Sequence, residues 1–454
     1  MKVAVLDVGK TNVKAVIVDA GERREVAAHT RPNRVLTDGS YPHFDVDGIF
    51  AFFLQSLKEL NSEFEFDAVS ITAHGASGAL LSAEGLALPI LDYEFRYPVD
   101  VEAAYDEIRP PFSETFSPRL PGGLNLGAQL HYQKAVFPET FANAQAIVTY
   151  PQYWGWRLTG IAATEVTSLG CHTDLWRPKQ GGFSSLVETL GIAGKLAPVR
   201  KPSDRLGYVT EEMSAKIGLA RPVPLYCGIH DSNASLLPHL GQHEAPFAVV
   251  STGTWVVIFA VGGDLDHLDS KRDTLANVDA LGRAVPSARF MGGREFELLT
   301  KGQGTATPEA IHRVLEERIV MTPSVVPGCG PFPDAEHRVV NASNGLNADE
   351  TYVAASLYAA LMTKACLDLT RAAGPIIVEG PFARNTLYAE ALSKAIGRSV
   401  IVVSSSTGTS VGAALLAVGS SAPSSLQEGR EASSHQLPDS FQQYCAEWNR
   451  YVGP

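Results

Sequence analysis

Two segments, roughly half a chain apart, repeat one uncommon device: an apolar run, a small polar turn and a second apolar run. The first is "VAVLDVGKTNVKAVIVD", from Val3 to Asp19, and the second is "FAVVSTGTWVVIFAV", from Phe247 to Val261. Gly9-Lys10-Thr11 imitates the end of a P-loop, but that pattern needs a glycine where Ala4 stands. A P-loop also opens into a helix, whereas Val13, Ala15, Val16, Ile17 and Val18 form a β-branched run that reads as a strand. Both segments are therefore expected to be β-hairpins. Glycine and asparagine at such tips tolerate positive φ, and exposed tip amides and hydroxyls can bind phosphate oxygens. An ordinary hairpin with a polar tip is the alternative for each taken alone. Two copies of the device predict two related domains, divided near Gly241 and Gln242 into 1–241 and 242–454.

The rest of the chain fits this plan. Strand and helix patterns alternate through most of it, which predicts an α/β protein. The stretch 375–419 reads strand, loop, helix, strand, loop, helix, with strands at Ile376–Val378 and Val400–Val403. "STGTS" (Ser406 to Ser410) leads into an alanine-rich segment and is read as a helix start, not a third hairpin. Residues 420–434 read as a linker, and Phe441, Tyr444, Trp448 and Val452 as the apolar stripe of a closing helix.

Composition removes several function classes. Apolar residues make up 45% and charged residues 19%, as in soluble globular proteins. A net charge of −12 with no dense basic run argues against nucleic acid as a partner. No apolar stretch is long enough to span a bilayer, and no leader pattern opens the chain. The 5 cysteines are scattered, without a CxxC pair, which argues against structural zinc or a disulfide frame. A cytoplasmic protein acting on small molecules is expected.

Four constellations carry candidate chemistry. "YCGIHDSNAS" (Tyr226 to Ser235) sets Asp231 after an apolar approach strand, where a carboxylate suits a general base for a hydroxyl attacking a phosphoryl group. A helix N-cap is the alternative. "GIHD" also imitates the loop of metallophosphoesterases, but Asp7 is followed by Val8-Gly9, not by the histidine that chemistry needs. "ITAHGASGALL" places His74 and Gly75 in a glycine-rich turn, where histidine either bonds a sugar hydroxyl or merely fills the turn. "LDYEFR" groups Asp92, Tyr93, Glu94 and Arg96, suited to polyol recognition or else a solvated charge cluster. "FMGGREFE" (Phe290 to Glu297) reads equally as a gate or a substrate contact.

The Asp-x-Gly hairpin, Gly-x-His-Asp, Ser-Thr-Gly-Thr hairpin and late glycine-led strand–loop–helix occur in that order. Together they resemble the FGGY family of carbohydrate kinases, within the sugar kinase–Hsp70–actin superfamily. "YPQYWGWRLTG", Thr164-Glu165 and "TDLW" are similar to that family's N-terminal domain, and "STGTW" and Asn385 to its rhamnulokinase and fuculokinase branch. The resemblance implies two ribonuclease-H-like (actin-like ATPase) domains flanking a central cleft that takes ATP and Mg²⁺. It implies phosphorylation of a terminal hydroxyl of a five- or six-carbon ketose (rhamnulose, fuculose or xylulose-like), with a homodimer allowed. Carried over by position, Asp231 is the general base, and Asp7 and Asp231 meet the metal through water. Gly9, Lys10, Thr11 and Asn12 form the first phosphate loop, and Ser251, Thr252, Gly253 and Thr254 the second. Gly380, Asn385 and Gly408 line the adenosine site. The sugar contacts are His74, Gly75, Glu94, Arg96, His230 and Asp231. The chain departs from the family at Lys10, which stands where a small hydroxyl residue is usual, and at Gly380-Pro381-Phe382, which replaces a glycine triplet. The family's helical signature is not recognisable around 302–317. A non-catalytic sugar or nucleotide sensor on the same fold is the rival reading, and a motor-type ATPase a third.

Overall fold

A computed structural model describes residues 1–403, 408–418, 429–432 and 437–453. They form two compact units. The first comprises 1–242 together with 276–284 and 408–418; the second holds the remaining described residues.

In the first unit the opening hairpin forms as expected. Lys2–Val8 pairs antiparallel with Asn12–Asp19, closing on Val8 opposite Val13. Lys2–Val8 also pairs parallel with Ala68–Ala73, so it is a central strand. Arg24–Pro32 continues the sheet beyond the hairpin, and Pro224–Tyr226 and Arg205–Tyr208 extend it on the other side. Every residue from Val3 to Val8 is buried, which requires cover on both faces. Strand alternation sorts them. Ala4, Leu6 and Val8 pack on Ile49, Phe53 and Leu57 of the helix Val46–Phe64 and on Trp154 of the helix Tyr150–Thr159. Val3 and Val5 pack on the opposite side with Ala234 and Ala413, from the helices Asp231–Leu240 and Thr409–Leu415. A second cluster, built on Leu126, Leu130, Tyr105 and Leu175, supports the segment that carries Asp92 to Tyr97.

The second unit repeats the plan. Phe247–Thr252 pairs antiparallel with Val256–Val261 and parallel with Ile376–Glu379, which pairs parallel with Val400–Val402. The turn is tighter than the sequence suggests: Ser251 and Thr252 finish the strand and Gly253 to Trp255 make the tip. Ala248 and Val250 face the helices Ala348–Leu369 and Thr386–Ile396. The longer of these begins with a capping box between Asn347 and Glu350, two reciprocal bonds that satisfy its first free amides. Phe441, Tyr444 and Trp448 are buried on the closing helix Ser440–Val452, as their spacing predicts.

One expectation changes. Arg430–Glu431, inside the predicted linker, forms a short strand pairing antiparallel with Val400–Val402, because backbone pairing at a sheet edge depends little on side chains. The rest of that linker, 420–428 and 433–434, and Ser406 and Thr407 of the "STGTS" turn lie outside the described residues. Gly408 does precede a helix, at φ 39°. Among the described residues no helix is long and apolar enough to cross a membrane.

Candidate active site

Strand alternation decides where Asp7 points. It shares a face with Val3 and Val5, toward the helix Thr409–Leu415, and that helix answers with two hydroxyls. Thr409 Oγ1 donates to Asp7 Oδ2 at 2.5 Å and Ser410 Oγ at 3.3 Å. Burial raises the Asp7 carboxyl above its ordinary range; the Thr409 bond opposes this and the nearby Asp231 charge adds to it.

Asp231 stands at the first position of its helix, directly after the short strand Ile229–His230, which pairs with Ala68–Ala73. Its Oδ1 accepts from the Ser232 amide at 2.6 Å and from the Ser232 hydroxyl at 3.3 Å, and His230 Nε2 lies 3.2 Å away. The Asn233 Nδ2 group donates to His230 Nδ1 at 3.3 Å, which leaves the ring proton on Nε2. Ser232 thus holds Oδ1, while no hydrogen bond among the described residues engages Oδ2, on a side chain 30% exposed. The cap reading of Asp231 does not hold: His230 occupies the N-cap position, without a side-chain cap bond, and Asp231 is the first helical residue. Burial raises this carboxyl too, against the opposing influence of His74 and the Ser232 bonds.

His74 follows the strand Ala68–Ala73 and lies between the rings of Phe44, Tyr93 and Tyr150, with centroids 4.8–5.3 Å away. Its Nδ1 lies 2.9 Å from the Gly75 carbonyl oxygen, which fixes the proton on Nδ1 and leaves Nε2 an acceptor. That Nε2 is buried and has no hydrogen-bond partner. Burial pushes both His74 and His230 down to about 4, so both are neutral near pH 7. Gly75 is required by close approach: a Cβ there would lie 2.8 Å from His230 Nε2.

The remaining predicted residues divide by environment. Gly9 closes the first tip by an amide bond to the Asn12 carbonyl at 2.9 Å, and neither residue adopts positive φ. Thr11 and Asn12 are exposed. Lys10 is not free at the tip: its ammonium pairs with Asp92 and, at 3.4 Å, with Glu94. Glu94 and Arg96 are exposed. In the second unit Gly253 and Thr254 are exposed, but the Thr252 hydroxyl is spent internally, donating to the Glu379 carbonyl at 2.5 Å and accepting from the Phe382 amide at 3.0 Å. This close seam explains Gly380, at φ 83°, where a Cβ would overlap the Thr252 carbonyl. Asn385 caps the helix Thr386–Ile396 through the Tyr388 amide and donates to Ser356 Oγ at 2.9 Å.

Several supporting residues carry no sequence signal. Asn33 braces the first tip, its amide bonding the Thr11 carbonyl at 2.8 Å and its Nδ2 the Gly9 carbonyl at 2.8 Å. Gln129 bonds the Ala76 carbonyl, beyond His74, and the Gly123 carbonyl; the Gly123 amide in turn bonds the Tyr93 carbonyl at 2.9 Å. Thr167 Oγ1 accepts the His230 amide at 3.0 Å. These contacts cross long stretches of chain, which no local pattern reveals.

A family model described as the N-terminal domain of the FGGY family of carbohydrate kinases matches residues 124–238, and one described as the FGGY C-terminal domain matches 244–427. The structure of a carbohydrate kinase from Novosphingobium aromaticivorans is 34% identical, with a TM-score of 0.90, covering 99% of this chain and 100% of that one. The chain belongs to the FGGY family of carbohydrate kinases. An L-fuculokinase of Salmonella typhi is 27% identical over 273 residues, 58% of this chain and 57% of that protein, so the match spans about half of that relative's length. A xylulose kinase from Rhodospirillum rubrum shares the fold at 18% identity, with a TM-score of 0.78 over 99% of this chain and 98% of its own. As an FGGY family member, the chain has the expected α/β, two-domain architecture.

Proposed function

We propose that the chain transfers a phosphoryl group from ATP to a terminal hydroxyl of a small sugar, a five- or six-carbon ketose. The observation that carries the reading is that Asp231, on a side chain 30% exposed, lies near enough to His74 for their charges to act on each other, while the buried Nε2 of His74 lacks a partner. An unsatisfied buried acceptor costs about 1–3 kcal/mol. A ligand hydroxyl donating to Nε2 would remove that cost. In this reading Asp231 Oδ2 takes the proton of the attacking hydroxyl, His230 and Ser232 keep the carboxylate oriented, and His74 fixes the sugar. The sugar role falls to 1–241 and the nucleotide role to 242–454, of which 276–284 and 408–418 pack within the first unit.

The donor set fits the expected cofactors. Asp7 and Asp231 are two half-buried or buried acids whose charges repel, and the described residues hold no group of three or more histidine, cysteine or acidic side chains able to cage a metal. Mg²⁺ commonly keeps its waters and binds through one or two carboxylates plus phosphates. Asp7 and Asp231 would hold it so, and with ATP it would supply the phosphoryl group and neutralise its charge. Gly9, Thr11 and Asn12 at one tip, and Ser251, Gly253 and Thr254 at the other, are the proposed phosphate contacts. Gly380 and Gly408 belong to the nucleotide side; Asn385 serves it by holding the loop, since its amide is already bonded.

The first test is ADP release screened over pentuloses, hexuloses, polyols and aldoses. One ketose is expected to lead, with glycerol and free aldoses at least about tenfold poorer in kcat/KM, because a mismatched hydroxyl leaves buried polar groups unpaired. His74→Ala should erode this discrimination more than it slows the best sugar. A screen led by glycerol or an aldose would remove the ketose assignment and leave the kinase assignment standing. ADP release that ignores sugar would remove both.

Gly253 tests the second tip. Its backbone is not at positive φ, and a Cβ would meet only the Trp255 carbonyl oxygen, at 3.8 Å. Gly253→Val is therefore expected to keep the thermal midpoint while raising KM for ATP severalfold, by obstructing approach to the tip backbone. Equal losses of stability and activity with KM for ATP unchanged would make the tip an ordinary hairpin.

A further inference from the structure

The position of Lys10 in the first tip invites a phosphate-binding role, and its surroundings contradict it. The ammonium is tied to Asp92, whose side chain is only 8% exposed, and reaches Glu94 at 3.4 Å. It also lies over the faces of Tyr93, 4.6 Å from the ring centroid, and Phe44, at 5.2 Å. A cation over an aromatic face gains further stabilisation when partly desolvated. Withdrawing it would leave the Asp92 carboxylate buried without its counter-charge, which is strongly unfavourable. Tyr93 in turn packs edge-on against His74, with centroids 5.3 Å apart. The charge of Lys10 is close enough to help hold His74 neutral, though burial is the main cause. Lys10, Asp92, Tyr93 and His74 thus form one continuous contact chain, ending at the histidine with the unpartnered Nε2.

We propose that Lys10 is a positioning residue for the sugar end of the site: it locks the Asp92–Glu94 segment and the Tyr93 ring against His74. The inference rests on the kinase reading above and adds a residue that sets sugar affinity. It also gives the departure from the family a physical role. A small hydroxyl residue at this position could not reach Asp92, so the segment would need another tether. Arg96, exposed on the same segment, supplies none in this structure.

The test compares Lys10→Met, which keeps the length of the side chain and loses the charge, with Lys10→Arg and Asp92→Asn. Steady-state kinetics should show KM for the best sugar rising about tenfold or more in Lys10→Met while KM for ATP stays within about twofold. Lys10→Arg should recover most of the sugar affinity, and Asp92→Asn should reproduce the Lys10→Met effect, which keeps the test valid if Lys10→Met folds poorly. Calorimetry of the same sugar without nucleotide should show the same order. A rise in KM for ATP with the sugar constant unchanged would make Lys10 a phosphate ligand and overturn the proposal. A lowered thermal midpoint with both constants unchanged would overturn it as well, leaving a merely structural ion pair. Wild-type protein that neither binds nor turns over any sugar would overturn the kinase reading itself, and this inference with it.

Discussion

Asp231→Asn should lower kcat by about a hundredfold or more, the usual consequence of losing a general base. The substitution is nearly isosteric. Asparagine Oδ1 can still accept from the Ser232 amide and hydroxyl, now at 2.6 Å and 3.3 Å, so the side chain keeps its place. What it loses is the open oxygen able to take a proton. Sugar binding should weaken much less than kcat falls, because His74 and the Asp92–Glu94 segment are untouched. Single-turnover measurements with the best sugar would separate the chemical step from product release. A variant running near the wild-type rate would remove Asp231 from the mechanism and leave it as a helix-terminal carboxylate.

Gly412→Val should be the most damaging substitution away from the reacting groups. Gly412 lies in the helix Thr409–Leu415, where it meets the helix Asp231–Leu240 backbone to backbone: a Cβ would overlap the carbonyl group of Ala234. No rotamer change relieves a clash with main chain, so the helices must separate. We expect a loss of about 3 kcal/mol or more, at the upper end for overpacking, and a thermal midpoint lower by at least about 5 °C. Activity should fall further than stability explains. The first helix delivers Thr409 and Ser410 to Asp7, and the second carries Asp231, so a shift between them disturbs both acids at once. Calorimetry with kinetics well below the new midpoint checks this. A variant with the wild-type midpoint and full kcat would show that the helix contact is not needed.

The sequence by itself determined the two hairpins, because a β-branched run following a polar turn has one low-energy local solution. It determined the closing helix through the spacing of Phe441, Tyr444 and Trp448, and it placed Asp231 at a strand-to-helix junction, as the first helical residue. The family resemblance came from the order of these motifs along the chain. Tertiary structure alone decided how each polar group is used. The family resemblance offered Thr252, Asn385 and Lys10 to a ligand; packing commits the first to the Glu379 and Phe382 backbone, the second to a helix cap and the third to Asp92. It equally decided that Thr409 serves Asp7 across 402 positions of chain and that Gln129 braces the turn after His74. The physical reason is one of range. Propensity and periodicity act over a few residues, whereas a hydrogen bond is satisfied by whichever donor or acceptor the fold brings within reach, at any distance along the chain.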